Sequence, residues 1–309
     1  MTKLFWQAIL KAGYKKKAIA EAIGRDRSTL YRELYRNSGQ RGYRPKQAQA
    51  LSDKRRREAR KAIRFTKEME VEVRAGLSRQ WSPEQISGRL KAQGGAGISH
   101  ESIYQFIAED TRNGGDLHKQ LRHSSKQRKK RYGGADRRGQ IKDRVSIAKR
   151  PKAVDKRSRI GDWELDTMIG RHHKGALVTI VDRLSLKTLI KKVPSKHAEI
   201  VSAACIDRLK PYAKYSHTAT ADNGKEFAFH KKIAKQLNID VYFAEPYSSW
   251  QRGSNENTNG LIRQYIPKKS NLQAYSDKEI SSIEAALNNR PRKCLGYKTP
   301  NEFFDERRC

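Results

Sequence analysis

The order of apolar patterns between residues 160 and 289 constrains the fold of this chain more than anything else in it. Residues 160–169, 175–182 and 186–193 are short runs rich in Val, Ile, Leu and Thr, the composition of strands. Helical spacing follows over 196–209, a strand over 215–221, a helix over 225–237 and a strand over 240–244. Two more helices are predicted over 254–265 and 277–289. Three strands followed by α-β-α-β-α predict one α/β sheet domain that opens with three antiparallel strands.

The sequence before residue 159 has a different character. Ala18, Ile19, Ala22 and Ile23 repeat at helical spacing, and Gly24-Arg25-Asp26-Arg27 interrupts them. Ser28 is then expected to cap a second helix with Leu30 and Leu34 facing inward. That pattern predicts a helix-turn-helix whose Ser28, Thr29, Tyr31, Arg32, Tyr35 and Arg36 face a DNA groove. A second helical pair follows. Ser82-Pro83-Glu84-Gln85 has the form of a capping box with Pro at the first helical position, and Ser99 is placed to cap the next helix. An amphipathic helix is expected over residues 1–17, because Lys15-Lys16-Lys17 follow the apolar segment instead of preceding it as in a signal peptide. The expected domains are a helix-turn-helix domain over 1–60, a helical domain over 61–118, a basic linker over 119–158 and a sheet domain over 159–309.

Charge narrows the partner. The chain has 67 Lys and Arg against 33 Asp and Glu, a net of +34. Residues 1–150 carry +23 of it and residues 151–309 the other +11. Such an excess calls for an acidic polymer, double-stranded DNA first. The linker holds 16 Lys or Arg in 40 positions, and its Lys129, Lys130 and Arg131 are expected to track phosphates without reading sequence. The three cysteines lie far apart with no C-x-x-C pair, which argues against a zinc knuckle or disulfide framework and fits a reducing, cytoplasmic compartment. No apolar run approaches the ~18–20 residues that span a bilayer, so no membrane partner is expected.

Against this basic background three acids stand in distinctive contexts: Asp166 in Trp163-Glu164-Leu165-Asp166, Asp222 in Asp222-Asn223-Gly224-Lys225-Glu226, and Glu256 in Arg252-Gly253-Ser254-Asn255-Glu256-Asn257. On the predicted map Asp166 lies in the first strand, Asp222 ends the fourth, and Glu256 begins a helix. Carboxylates gathered there would repel one another unless cations neutralise them, and oxygen ligands suit Mg²⁺. Paired hard cations activate an attacking oxygen and stabilise a leaving one in phosphoryl transfer. Strand alternation puts Glu164 on the same face as Asp166, which makes it a competing ligand; Glu226 and His230 are further candidates. Arg252, Asn255, Asn259 and Arg263 extend the Glu256 helix as expected DNA contacts, with Lys268 and Lys269 beyond them.

The stretch from Tyr247-Ser248-Ser249-Trp250-Gln251-Arg252-Gly253-Ser254-Asn255-Glu256-Asn257 to Arg263-Gln264-Tyr265 resembles the signature of insertion-sequence transposases of the IS30 family, as does Asn288-Asn289-Arg290-Pro291 through Lys298-Thr299-Pro300. The resemblance covers essentially the whole chain. It implies a multidomain protein, with N-terminal all-α helix-turn-helix units followed by an α/β ribonuclease-H-like (integrase-type) catalytic domain. It also implies that Asp166, Asp222 and Glu256 bind the metal ions for cutting and joining DNA, Mg²⁺ with Mn²⁺ able to substitute. The partners implied are transposon ends and target DNA, with the chain assembled as a homodimer on them in the bacterial nucleoid. Leu165 stands where the family commonly has Gly, and Ser249 where it commonly has Pro; neither departure removes a ligand. Two rival readings remain at this stage: a DNA-binding repressor with a decayed catalytic domain, and a metal-dependent nuclease that cuts without joining.

Overall fold

A computed structural model describes residues 12–58, 65–95, 97–122, 141–246 and 248–308. Most of the helix expected over residues 1–17, and Lys129, Lys130 and Arg131, lie outside the described residues. The chain divides into two compact units, Met1–Arg64 and Phe65–Cys309.

In the first unit α1 (Lys16–Ala22) and α2 (Arg27–Asn37) form the predicted pair, and a two-residue-stranded hairpin, β1 (Ser38–Gly39) with β2 (Gly42–Tyr43), leads into α3 (Pro45–Glu58). Ile19, Leu30 and Leu34 close its core as expected, with Ile23 partly buried against them, but Ala20 takes the place expected of Ala18 and Ala22, which are exposed. The cap differs from expectation. Asp26, not Ser28, is extended at the N-terminus of α2, and its carboxylate accepts from the Ser28 backbone N–H at 2.7 Å. Both residue types cap well; Gly24 turns the chain at φ +61°, and the helix starts two residues early.

The second unit begins with α4 (Lys67–Ser78), α5 (Pro83–Ala92) and α6 (His100–Arg112), packed around Val73, Leu77, Ile86, Ile103 and Ile107. Ser82 and Gln85 form the predicted capping box and Ser99 caps α6. This bundle is tied to the end of the chain. Arg89 Nη1 donates to Glu302 Oε2 at 2.8 Å, and Arg290 Nε donates to Gln85 Oε1 at 2.9 Å. The Arg89 guanidinium holds the Glu302 carboxyl down to about 2. Gly88 lies against the Tyr297 ring, where a Cβ would come within 2.2 Å of it.

After α7 (Lys152–Asp155) comes the sheet: β3 (Asp162–Ile169), β4 (Ala176–Asp182), β5 (Thr188–Val193), β6 (Thr218–Ala221) and β7 (Asp240–Phe243). Its order is β5-β4-β3-β6-β7; β3, β4 and β5 are antiparallel, and β3, β6 and β7 are parallel. Helix α8 (Ala198–Leu209) crosses from β5 to β6, and α9 (His230–Leu237) from β6 to β7. Helices α10 (Gly253–Tyr265), α11 (Asp277–Asn288) and α12 (Pro300–Asp305) follow. This is the ribonuclease-H-like arrangement that the resemblance implies.

Alternation along β3 builds a core on each face. Trp163 and Leu165 point into the cluster with Val201, Leu209 and Ile233 of α8 and α9. Met168 points the other way, into the cluster with Leu261, Ile262, Ile283 and Leu287 of α10 and α11. The acids Glu164 and Asp166 share the Met168 face, so they meet α10. Among the described residues no helix is long and apolar enough to cross a membrane.

Candidate functional site

Register brings the first two acids together. Strands β3 and β6 run parallel with Glu164 opposite Thr220, so Asp166, midway along β3, and Asp222, just past the end of β6, sit one pleat further on, side by side. Arg252 bridges them. Its Nη1 lies 3.4 Å from Asp166 Oδ1 and its Nη2 lies 3.3 Å from Asp222 Oδ2. Nη1 also donates to the Leu165 carbonyl at 3.0 Å.

Each carboxylate has a second anchor. Asn259 Nδ2 donates to Asp166 Oδ2 at 2.6 Å, and Thr179 Oγ1 fixes that amide by donating to Asn259 Oδ1 at 3.2 Å. The Gly224 N–H donates to Asp222 Oδ1 at 2.9 Å. Burial pushes the Asp166 carboxyl up from its ordinary range; Arg252 opposes this and the Asp222 charge adds to it. Gly224 serves here by close approach, since its φ is −69° and a Cβ would stand 2.6 Å from the Glu226 carboxylate and 2.8 Å from Asp222 Oδ1.

Glu256 stands apart from this pair. Two cavities open at the β3 end, and Thr167 and Ile169 line both. Asp166, Asp222 and Glu226 line one of about 760 Å³. Glu256 and Asn259 line the other, of about 980 Å³, together with Arg171, Arg263, Lys268 and Lys269. Glu256 lies one helical turn before Asn259, on the α10 face that meets Asp166. Among the described residues no three His, Cys, Asp or Glu side chains are drawn close enough to hold a metal ion together. The donor set is nonetheless all carboxylate oxygen, the chemistry of a hard divalent cation, and a positive guanidinium already stands between two of the three acids. On that test Asp166 and Asp222 fit a cation as they stand.

Comparison with known proteins gives the chain its relatives. The homeodomain-like domain family matches residues 29–107, from α2 into α6. The transposase for insertion sequence element IS4351 of Bacteroides fragilis is 47% identical over 300 residues, covering 96% of this chain and 92% of that protein. The transposase for IS1086 of Cupriavidus metallidurans is 39% identical over 296 residues, 92% of this chain and 87% of its own. Transposase InsI for IS30A of Escherichia coli is 35% identical over 314 residues, covering 97% and 81%. The chain belongs to the IS30 family of insertion-sequence transposases.

In this IS30-family chain several expected site residues have other partners. Glu164 is fully buried and ion-paired with Arg183, and its Oε2 accepts from the Asn255 backbone N–H at 2.9 Å. It caps the start of α10 from the sheet, and nothing leaves it open to a metal. Arg183 Nη1 also donates to the Gln251 carbonyl at 3.3 Å, so the same pair grips the turn that carries Arg252. Asn255, expected on DNA, is 1% exposed and offers its side chain no outward surface. Asn259, also expected on DNA, is engaged with Asp166. Arg263 lines the larger cavity and donates to the Pro267 carbonyl at 3.2 Å. Glu226 accepts from Thr167 Oγ1 at 2.9 Å on the wall beside Asp222. His230 is buried with its ring edge-on to Phe243, away from the acids. Arg183 and Thr179 carried no sequence signal, because each gains its role through a partner 19 or 80 residues away.

In the first unit Thr29, Arg32 and Arg36 line one side of a surface cavity of about 360 Å³, with Ser52 and Arg55 of α3 opposite. Arg32 Nη2 donates to Ser28 Oγ at 2.9 Å, so Ser28 steadies the guanidinium it was expected to precede in the groove. Tyr31 is half-exposed under Lys16 Nζ and Arg27, 4.8 and 5.6 Å from its ring centre.

Proposed function

We propose that the chain is the DNA transposase of an insertion sequence, a polynucleotidyl transferase that binds the terminal inverted repeats and then cuts and joins strands with divalent metal. The observation that supports this best is the pairing of Asp166 and Asp222 around one cationic group at the sheet end. Asp166, Asp222 and Glu256 are the proposed metal ligands, and Mg²⁺ the proposed ion, with Mn²⁺ able to replace it. Bound there, such ions supply Lewis-acid activation of the attacking oxygen and charge neutralisation of the leaving one. Asn259 and the Gly224 N–H hold two of the carboxylates in fixed orientation. Arg171, Arg263, Lys268 and Lys269 offer the DNA backbone a basic lining in the cavity that Glu256 shares. No covalent protein–DNA intermediate is required, because the freed 3′-hydroxyl is itself the nucleophile for joining. Two element ends call for two such sites, which a dimer assembled on nucleoid DNA provides. DNA flanking the gene tests the reading: paired inverted repeats are expected, and duplexes carrying them should be bound by the full chain more tightly than random duplex.

The helix-turn-helix unit is the proposed reader of those repeats. Arg32→Ala should weaken binding to a repeat duplex by ~1–3 kcal/mol, the usual weight of a base contact, and weaken random-duplex binding less. Equal losses in a gel-shift titration would make Arg32 a phosphate contact and leave Thr29 or Tyr31 as reader.

The basic segment over 119–158 is the proposed phosphate-tracking arm. Counterion release gives log K against log salt a slope of roughly −0.9 per neutralised phosphate. Removing charge at Lys129, Lys130 and Arg131 should flatten that slope alike on repeat and random duplexes. An unchanged slope would mean that the run touches no phosphate.

A further inference from the structure

Arg252 is held by the two acids only loosely, and its one close hydrogen bond runs to the Leu165 carbonyl at 3.0 Å. Its two nitrogens are splayed across two carboxylates at 3.4 and 3.3 Å, beyond the ~2.7–2.9 Å of a strong charge-assisted pair. It forms no bidentate fork with either acid. Its Nε is buried with no hydrogen-bond partner. The carboxylates, by contrast, are pinned by other groups, Asp166 by Asn259 at 2.6 Å and Asp222 by the Gly224 N–H at 2.9 Å. The guanidinium can thus leave while both acids keep their places. It places one positive charge between two carboxylates and so offsets part of their mutual repulsion.

We propose that Arg252 is a built-in counter-cation that occupies the place between Asp166 and Asp222 until a divalent metal ion displaces it. This rests on the reading of Asp166 and Asp222 as metal ligands. Two adjacent carboxylates destabilise a fold unless a cation screens them. Arg252 supplies that charge in the metal-free protein, at the cost of weaker metal binding, because one site cannot hold both cations. It projects from the turn Ser249–Arg252 directly before α10.

Calorimetric titration of the full chain with Mn²⁺, without DNA, tests the exchange. Arg252→Gln should bind Mn²⁺ about tenfold to a hundredfold more tightly than the parent, the range of a typical coupling between two competing ligands. In EDTA the same variant should unfold at a lower temperature than the parent, and saturating Mn²⁺ should close or reverse the gap. Arg252→Lys keeps one charge without the two-pronged reach and should fall between the two. Asp222→Asn separates the premises. If parent and Arg252→Gln bind Mn²⁺ equally, and Asp222→Asn abolishes binding in both, the metal site stands and the counter-cation is overturned. If Mn²⁺ binding survives Asp222→Asn, the metal reading falls and takes this inference with it. Weaker binding by Arg252→Gln would make Arg252 a support of the site and would also overturn the proposal.

Discussion

Asp166→Asn, Asp222→Asn and Glu256→Gln are each expected to reduce Mg²⁺-dependent cleavage of a repeat duplex at least about a hundredfold, as loss of a group that stabilises developing charge does. DNA binding by the same variants should stay close to that of the parent. The first two substitutions remove a charge from a pair that already shares one cation, so they act on whatever ion binds there. Glu256→Gln is the sharper test, because Glu256 opens onto the larger cavity while Asp166 and Asp222 line the smaller. Cleavage assays on end-labelled duplex, run beside gel shifts, separate catalysis from binding. Full cutting by Glu256→Gln would move the third role elsewhere, with Glu226 beside Asp222 as the successor.

Glu164→Ala is expected to be the most destabilising single change near the site. It leaves the Arg183 charge buried without its partner and the Asn255 N–H without an acceptor. Breaking a buried ion pair from one side costs ~3–5 kcal/mol. For a unit of this size that corresponds to a fall in Tm of roughly 10 °C. Replacing both partners with apolar residues, as in Glu164→Leu with Arg183→Met, should recover much of the loss, since no charge is then stranded. Urea or thermal unfolding reads both. A variant Glu164→Ala with parental stability but no cleavage would make Glu164 a member of the reacting site and not a support beneath it.

Much of this was legible in the sequence because it is local. Strand alternation from Trp163 to Met168 set which side chains face which core, and the switch to helical spacing set the order of the sheet domain. The capping box at Ser82 and Gln85 was legible for the same reason: four consecutive residues hold all of it. The three acids stood out through contiguous motifs, and the family's signature named them together. What the sequence left unread depends on register. Asp166 meets Asp222 only because β3 and β6 align, and Glu164 finds Arg183 across a hairpin and α10 across the sheet face. Alternation alone could not tell Glu164 from Asp166, since both face α10; burial and a positive partner separate them. Asn255 and Asn259 looked alike on a polar helix, yet Asn255 is buried and Asn259 orients Asp166.

One site is proposed both to cut and to join. The most direct measurement incubates the full chain with a labelled repeat duplex, a supercoiled target plasmid and Mg²⁺, and follows the label. Label covalently joined to plasmid through the element's 3′ end is expected, abolished by EDTA and by Asp222→Asn. Label released as cut ends, with none joined to plasmid under conditions of full cleavage, would contradict it and leave a nuclease.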